Sequence, residues 1–462
     1  MTSALPGATF RDPAGSLSFE DNLVIRRIDP SARGVVLDLL ESRFCGTMQQ
    51  RGDLIEAEID DSHPSLRLRH PKIAVPTYPW EWTPSQWLAA AELTLNLCDE
   101  ALAAGWILKD ATPLNVLFNG PRPIFVDILS FERRDPKSSI WLAYGQYVRT
   151  FLLPLLMNRM LSWPLSLSLF KRDGYEPADC YAALGWSQRL TRGAFWPITL
   201  PTLLDRRKSA DAPAKKRTIR AHDPEVAADV LKRTLANLRQ RTRRAMPAGV
   251  SSDWSKYQAT LTHYTAEESQ QKLAWVRRAI ETSQPGRVLD IGANTGEFSA
   301  LAADMGAEVV ALERDMASAD RLFRMASQRH LAIQTIHADI ARPTPSVGWD
   351  NAESVALLPR LEAQFDLVLM LAVIHHLLLM EQIPLASIVA LCHRLTRRHL
   401  VIEWVPVQDP MFQSLMRGRD SLYGSLAEAD LLGACSGSFN VLERQELDNG
   451  RILFLFEKIN GC

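Results

Sequence analysis

From Gly286 onward, apolar runs of five to seven residues alternate with stretches of helical periodicity, and this constrains the chain more than any other feature. The runs are Arg287–Ile291, Glu308–Leu312, Ala332–Ile336, Phe365–Leu371 and His399–Glu403, then Phe439–Glu443 and Arg451–Phe456. Short continuous apolar strands separated by helices are what a sheet covered on both faces requires. The expected architecture is therefore an α/β, Rossmann-like doubly wound sheet, with the last two runs as a closing hairpin pair. Ligands of such sheets bind beyond the carboxyl ends of the strands.

The first run ends in Asp290-Ile291-Gly292-Ala293-Asn294-Thr295-Gly296, ahead of a helical pattern from Glu297 to Met305. Gly292 and Gly296 let the backbone turn sharply and approach a ligand. The spacing is GxxxG, and Asn294 stands where a GxGxxG dinucleotide fingerprint needs its middle glycine, which argues against a nicotinamide dehydrogenase. Glu313 ends the second run, where a carboxylate can accept hydrogen bonds from both ribose hydroxyls. Asp339 follows the third run, placed for an exocyclic adenine amine, and Asp366 begins the fourth. Plainer roles suit the same residues: Asp290 capping the turn, Glu313 solvated, Asp366 starting a strand at the surface.

These features in this order resemble the class I S-adenosylmethionine-dependent methyltransferases. Asp290–Gly296 resembles their first motif, Glu313 their second-strand acid, Ala338-Asp339 their adenine-side acid and Gln364–Leu377 their fourth-strand motif. The resemblance covers roughly the last 200 residues and implies S-adenosylmethionine as cofactor. It places Asp290, Gly292, Asn294, Gly296, Glu313, Asp339, Ile340 and Leu371 around that cofactor. The methyl group on a sulfonium is already activated, so the protein aligns the acceptor and, for a hydroxyl, removes a proton. His375 and His376, just past the fourth strand, and Glu403, ending the fifth, are the candidate bases. Histidine has the intrinsic pKa for that work, although adjacent histidines also occur as packing at a helix start. No set of His, Asp and Glu has metal-ligand spacing, so no essential metal is expected.

The first half of the chain is read as an α+β module over 1–135, then a helical segment and basic linker over 136–250, ahead of the methyltransferase domain at 251–462. Thr83-Pro84-Ser85-Gln86 predicts a capped helix from Pro84 to about Ala104, ended by Gly105. Asn115–Phe118 and Pro123–Leu129, joined by Asn119-Gly120, predict a hairpin. Residues 140–200 are helical and rich in Trp and Leu, and a further amphipathic helix runs from Pro224 to about Arg244. The basic stretch Arg206–Arg244 carries interleaved acids and lacks aromatics for base stacking, so a solvated linker helix is expected rather than a nucleic-acid surface.

Leu108–Asn115 followed by Phe125-Val126-Asp127 resembles the catalytic loop and metal-binding aspartate of kinase-like phosphotransferases, with Asp110, Asn115 and Asp127 at matching positions. No glycine-rich loop precedes them, and the lysines before Asp110 are Lys72 and Lys109 alone. The resemblance thus implies a degenerate lobe in which Asp110 and Asp127 fix the hairpin through backbone amides. As a whole, the chain resembles a little-characterised family of long bacterial methyltransferases, some nodulation-related or glycan-modifying. The expected function is methyl transfer to a small-molecule or glycan hydroxyl. A non-catalytic cofactor-binding scaffold and a dual protein with phosphotransfer activity remain open alternatives.

Composition sets the remaining bounds. A formal net charge of −1 gives no long-range field toward nucleic acid or an acidic membrane, so any polyanion binding must come from a local patch. The six cysteines are scattered singly, without zinc spacing, as for reduced thiols in the cytoplasm. No export signal starts the sequence, and Trp141–Phe170 is interrupted by Arg149, Pro154, Arg159 and Pro164, too often to span a bilayer.

Overall fold

Each half of the chain buries its own apolar set. The computed structural model describes residues 12–206, 223–247 and 265–459, apart from positions 21, 61, 64 and 417. The expected domain start at 251 and part of the basic stretch, 207–222, lie outside these described residues. Two units result, Met1–Gly249 with Ser346–Val355, and Val250–Pro345 with Ala356–Cys462.

The first unit begins with strands β1 (Gly15–Glu20), β2 (Leu23–Ile28), β3 (Glu58–Ile59) and β4 (Arg67–Pro71), in an antiparallel sheet of order β1-β2-β4-β3. Helices Arg33–Leu40 and Arg43–Arg51 lie between β2 and β3 in the chain. The Pro84–Ala103 helix starts on a reciprocal capping box: the Gln86 N–H donates to Thr83 Oγ1, and the Thr83 N–H donates to Gln86 Oε1 at 3.0 Å. Gly105, at φ +79°, turns the chain away into β5 (Trp106–Leu108). A hairpin of β6 (Val116–Asn119) and β7 (Arg122–Phe125) follows, and β8 (Phe131–Arg133) pairs with β5.

Three expectations need correction here. Asn119 pairs with Arg122, so the hairpin loop is Gly120-Pro121, one residue later than expected, with Gly120 at φ +58°. The second strand ends at Phe125 rather than Leu129, because Asp127 opens a 3-10 turn over Ile128–Ser130, closed by the Ser130 N–H on the Asp127 carbonyl. The Pro224–Ala245 helix, for its part, is no solvated linker. It buries Ala227, Leu231, Leu235, Leu238, Thr242 and Ala245 and packs on the Pro84–Ala103 helix. Its arginines serve that packing, since Arg239 donates to Asn96 at 2.9 Å and Arg243 pairs with Glu92. Among the described residues no helix is long and apolar enough to cross a membrane.

The second unit holds β9 (Arg287–Ile291), β10 (Glu308–Glu313), β11 (Ile333–His337), β12 (Phe365–Met370), β13 (Thr396–Trp404), β14 (Phe439–Glu446) and β15 (Ile452–Lys458). These seven form one sheet of order β11-β10-β9-β12-β13-β15-β14, consistent at every strand with the apolar runs of the sequence. The first five strands run parallel, and β15 lies antiparallel between β13 and β14. The chain goes outward from β9 to β11, then returns to β12 on the other side of β9. That reversal opens a crevice beyond the carboxyl ends of β9 and β12, where a ligand of a doubly wound sheet belongs.

Candidate cofactor and active site

The loop after β9 folds back on β10. The N–H groups of Gly292 and Ala293 both donate to the Leu312 carbonyl, at 2.8 and 3.1 Å. Gly292, Asn294 and Gly296 take φ of +74°, +52° and +89°. Asparagine tolerates that region, whereas the two glycines are needed for space as well. A Cβ at 292 would lie 2.5 Å from Val373 Cγ2, and one at 296 would lie 2.7 Å from Leu322 Cγ. Beneath the loop, buried Asp290 accepts the Ser299 hydroxyl at 2.6 Å, which ties β9 to the Glu297–Asp304 helix. Burial pushes the Asp290 carboxyl up to about 6.

Glu313 faces the same loop. Its Oε2 accepts the Asn294 N–H at 2.7 Å and its Oε1 the Asp315 N–H at 2.6 Å, while burial shifts the carboxyl upward against those bonds. A carboxylate oxygen has two lone pairs, so each can still accept a ribose hydroxyl. Glu313→Ala is accordingly expected to weaken adenosylmethionine binding by about 1–3 kcal/mol. Calorimetry showing intact binding, with only turnover reduced, would contradict the ribose role.

Asp339 accepts the Ala341 N–H at 2.9 Å and pairs with Arg342 at 3.3 Å. Glu381, on the loop beyond β12, meets both Arg342 and Arg314. Acids and arginines from the loops after β10, β11 and β12 thus form one ionic lattice around Asp339. The sequence reading missed Arg314, Arg342 and Glu381, which no local pattern marks. Ile340 is half-buried next to Asp339, and Leu371 is buried at the end of β12. Asp366 takes its plainer role: it accepts the Gly286 and Arg287 N–H groups, both at 3.0 Å, and joins the starts of β9 and β12.

His375 and His376 begin the Ile374–Leu379 helix, their ring centroids 4.2 Å apart. His375 is buried, with 2% of its surface exposed. His376 is half-buried, its Nδ1 3.4 Å from Met380 Sδ. Burial, with Arg314 and Arg451 nearby, pushes its imidazole down to about 4. Glu403 is fully buried, and its two oxygens meet Lys272 Nζ at 2.6 Å and Arg451 Nη1 at 3.3 Å. Arg451 Nε also donates to Asp409 at 2.8 Å. Enclosed by two cations and away from solvent, Glu403 is an anchor of this network rather than a base that an acceptor can reach. Lys272, Asp409 and Arg451 went unnoticed in the sequence because each lies in a different element. Among the described residues no group of three or more His, Cys, Asp or Glu is placed to hold a metal ion.

In the first unit, the kinase-like residues converge on a different partner from the one expected. Asp127 Oδ1 meets Arg26 Nη1 of β2 at 2.8 Å, and Arg26 Nη2 donates to the Val126 carbonyl at 3.2 Å. The Ser130 hydroxyl donates to Asp127 Oδ2 at 2.5 Å and accepts from Asn115 Nδ2 at 2.9 Å. A guanidinium and a hydroxyl, not backbone amides, therefore hold Asp127. Burial shifts the Asp110 carboxyl upward, and its neighbour Ala111 donates its N–H to Gln146 Oε1 at 2.6 Å.

Residues 261–390 match a family described as a methyltransferase domain. Nearly the whole chain is similar to nodulation protein NoeA of Rhizobium meliloti (strain 1021), at 29% identity over 97% of this chain and 95% of that protein. Solved structures with similarity include the bifunctional kinase-methyltransferase WbdD, at 16% identity and TM-score 0.32, over 44% of this chain and 41% of that one. The match thus spans less than half the length of WbdD. The N-methyltransferase NodS of Bradyrhizobium japonicum WM9 is 15% identical over 42% of this chain and 97% of its own, with TM-score 0.32. The family match, the sheet order and a glycine loop with no room for side chains, facing a second-strand acid, agree with one another. The protein contains a class I S-adenosylmethionine-dependent methyltransferase domain.

Proposed function

We propose that the protein methylates a hydroxyl of a small-molecule or glycan acceptor in the cytoplasm. Its similarity to a nodulation protein over 97% of the chain supports an acceptor of nodulation-related chemistry. In this reading Asp290, Gly292, Asn294 and Gly296 hold the methionine side of adenosylmethionine, Glu313 its ribose, and Asp339, Ile340 and Leu371 its adenine. The bound cofactor supplies a methyl group already activated as a sulfonium. His376 is the general base that takes the acceptor's proton, with His375 packed against it.

The observation that carries this assignment is the position of His376, half-buried in the helix that follows β12 at the carboxyl end of the sheet; burial and two arginines keep its imidazole neutral, at the cost of making it a weaker proton acceptor than an ordinary histidine. A base must be unprotonated to act. A pKa lowered to about 4 leaves His376 neutral throughout the physiological range. The expected result is a kcat/KM that does not fall as pH drops from about 8 to about 5.5, where an ordinary histidine of pKa near 6.5 would protonate. His376→Ala should lower kcat by about 10²–10⁴ while leaving adenosylmethionine affinity in place. Labelled-methyl transfer to a panel of hydroxyl acceptors measures both quantities. A descending limb centred near 6.5 in the wild-type profile would remove His376 from this role. Phosphotransfer by the first unit is disfavoured, because Arg26 occupies the carboxylate that a magnesium nucleotide would need.

A further inference from the structure

Four charged side chains meet at the carboxyl end of the sheet, two of each sign. Arg314 follows Glu313 at the end of β10, Asp339 and Arg342 follow β11, and Glu381 lies on the loop after the Ile374–Leu379 helix. The Glu381 N–H donates to the His376 carbonyl at 3.4 Å, which fixes where that loop begins. From there its carboxylate takes Arg342 as a fork, Oε2 accepting from Nη2 at 2.5 Å and Oε1 from Nη1 at 3.1 Å. Arg314 Nη1 stands 3.5 Å from the same Oε1. Arg342 Nη1 also donates to Asp339 Oδ2 at 3.3 Å, and Arg314 Nη1 lies 4.0 Å from that oxygen. Two guanidiniums thus share two carboxylates. The carboxylates are the covered partners, with side chains 11% exposed for Glu381 and 20% for Asp339, against 42% for Arg314 and 69% for Arg342.

That balance decides how much of Asp339 a ligand can use. Its Oδ1 accepts the Ala341 N–H at 2.9 Å and its Oδ2 the Arg342 guanidinium. A carboxylate offers about four lone-pair sites, so about two remain for a further donor. Glu381 is what keeps them open, because it holds both terminal nitrogens of Arg342 and leaves Asp339 a single guanidinium bond. Without its charge, two guanidiniums would have one carboxylate between them. Each can form two parallel N–H bonds to a carboxylate, which is enough to fill Asp339 with donors from its own protein. Pairs between fully exposed charges exchange for water and matter little, whereas here the contested carboxylate is mostly covered.

We propose that Glu381 is a positioning residue for the adenine end of the cofactor: by holding Arg342 and Arg314 it keeps the Asp339 carboxylate open to the exocyclic amine. This rests on the assignment of Asp339 to adenine, which Asp339→Ala checks separately by abolishing any preference for the amine. The test is calorimetry on the full-length protein with S-adenosylhomocysteine and with the same compound carrying purine in place of adenine, which lacks only the amine. The wild type should prefer the adenine compound about tenfold, the worth of one hydrogen bond. Glu381→Gln, of nearly equal size, should reduce that preference to within about twofold. Glu381→Gln combined with Arg342→Gln leaves one guanidinium for one carboxylate and should restore it, and Arg342→Gln alone should leave it in place. A merely structural tie would weaken both compounds alike and gain nothing from the second substitution. If Asp339→Ala abolishes the preference but folded Glu381→Gln keeps it, the role of Glu381 is overturned and the adenine assignment stands. A double variant that stays indiscriminate, or loss of the preference in Arg342→Gln alone, would overturn that role equally. Full preference in Asp339→Ala, or none in the wild type, would place adenine elsewhere and overturn both.

Discussion

Gly292→Val is expected to abolish adenosylmethionine binding, with affinity falling by at least about 100-fold, or about 3 kcal/mol. Two independent costs add at this position. The backbone is held at φ +74°, which a β-branched residue avoids. The new Cβ would also stand 2.5 Å from Val373 Cγ2, so the Val373 side chain must turn to another rotamer or its loop must shift before the valine fits. Both loops border the crevice at the carboxyl ends of β9 and β12. The sequence alone suggests that valine would intrude on the methionine moiety, whereas the structure shows that it first strikes the protein's own Val373. Calorimetry on the purified variant, with circular dichroism to verify folding, measures the effect. Unchanged affinity in a folded variant would remove the glycine loop from the site.

Arg451→Leu should have the largest effect on stability in the methyltransferase unit, a loss of about 3–5 kcal/mol, the cost of stripping a buried ion pair of one partner. Arg451 is 3% exposed and serves two buried carboxylates, Glu403 and Asp409. Its removal leaves Glu403 with Lys272, and leaves Asp409 with the N–H groups of Met411 and Phe412. Burial raises the Asp409 carboxyl, but the bond and charge of Arg451 and those two N–H groups together bring it below its ordinary value. A depressed carboxyl stabilises the fold above its unfolded pKa and loses that contribution as pH falls through the folded value. The gap between wild type and variant should therefore be full near neutrality and narrow in acid. Urea unfolding at several pH values reads both effects, and a loss under about 1 kcal/mol would show the network to be no more than a surface-like ion pair.

Patterns that depend on near neighbours were legible in the sequence. Continuous apolar runs gave all seven strands of the sheet, Thr83 and Gln86 gave a helix start, and the GxxxG turn gave the loop on which the site is built. Pairings between distant residues were not legible. Arg26 meets Asp127 across 101 positions, and Lys272 meets Glu403 across 131. A guanidinium in a strand looks like any exposed arginine until the fold brings a carboxylate to it. The Pro224–Ala245 helix misled for a related reason, since its arginines look solvated while its Leu231, Leu235 and Leu238 edge is buried. Composition reports the polar majority of such a helix, and only its partner shows which stripe is covered.

The placement of β15 also dictates an order of assembly. It is made after β14 yet lies between β14 and β13, so β14 cannot join the sheet until β15 arrives. The two are joined by the short turn in which Gly450 donates to Leu447, so they can pair locally and dock on β13 as one hairpin. A ribosome that has synthesised only the β9–β13 portion holds a sheet with β13 as an open edge, and Glu403 without the arginine that comes 48 residues later. An unpaired edge of apolar residues is a template for another chain. Nascent chains paused in that window are the ones most in need of a chaperone, and the exposure ends only when β15, through Lys458, has been made and has paired with β13.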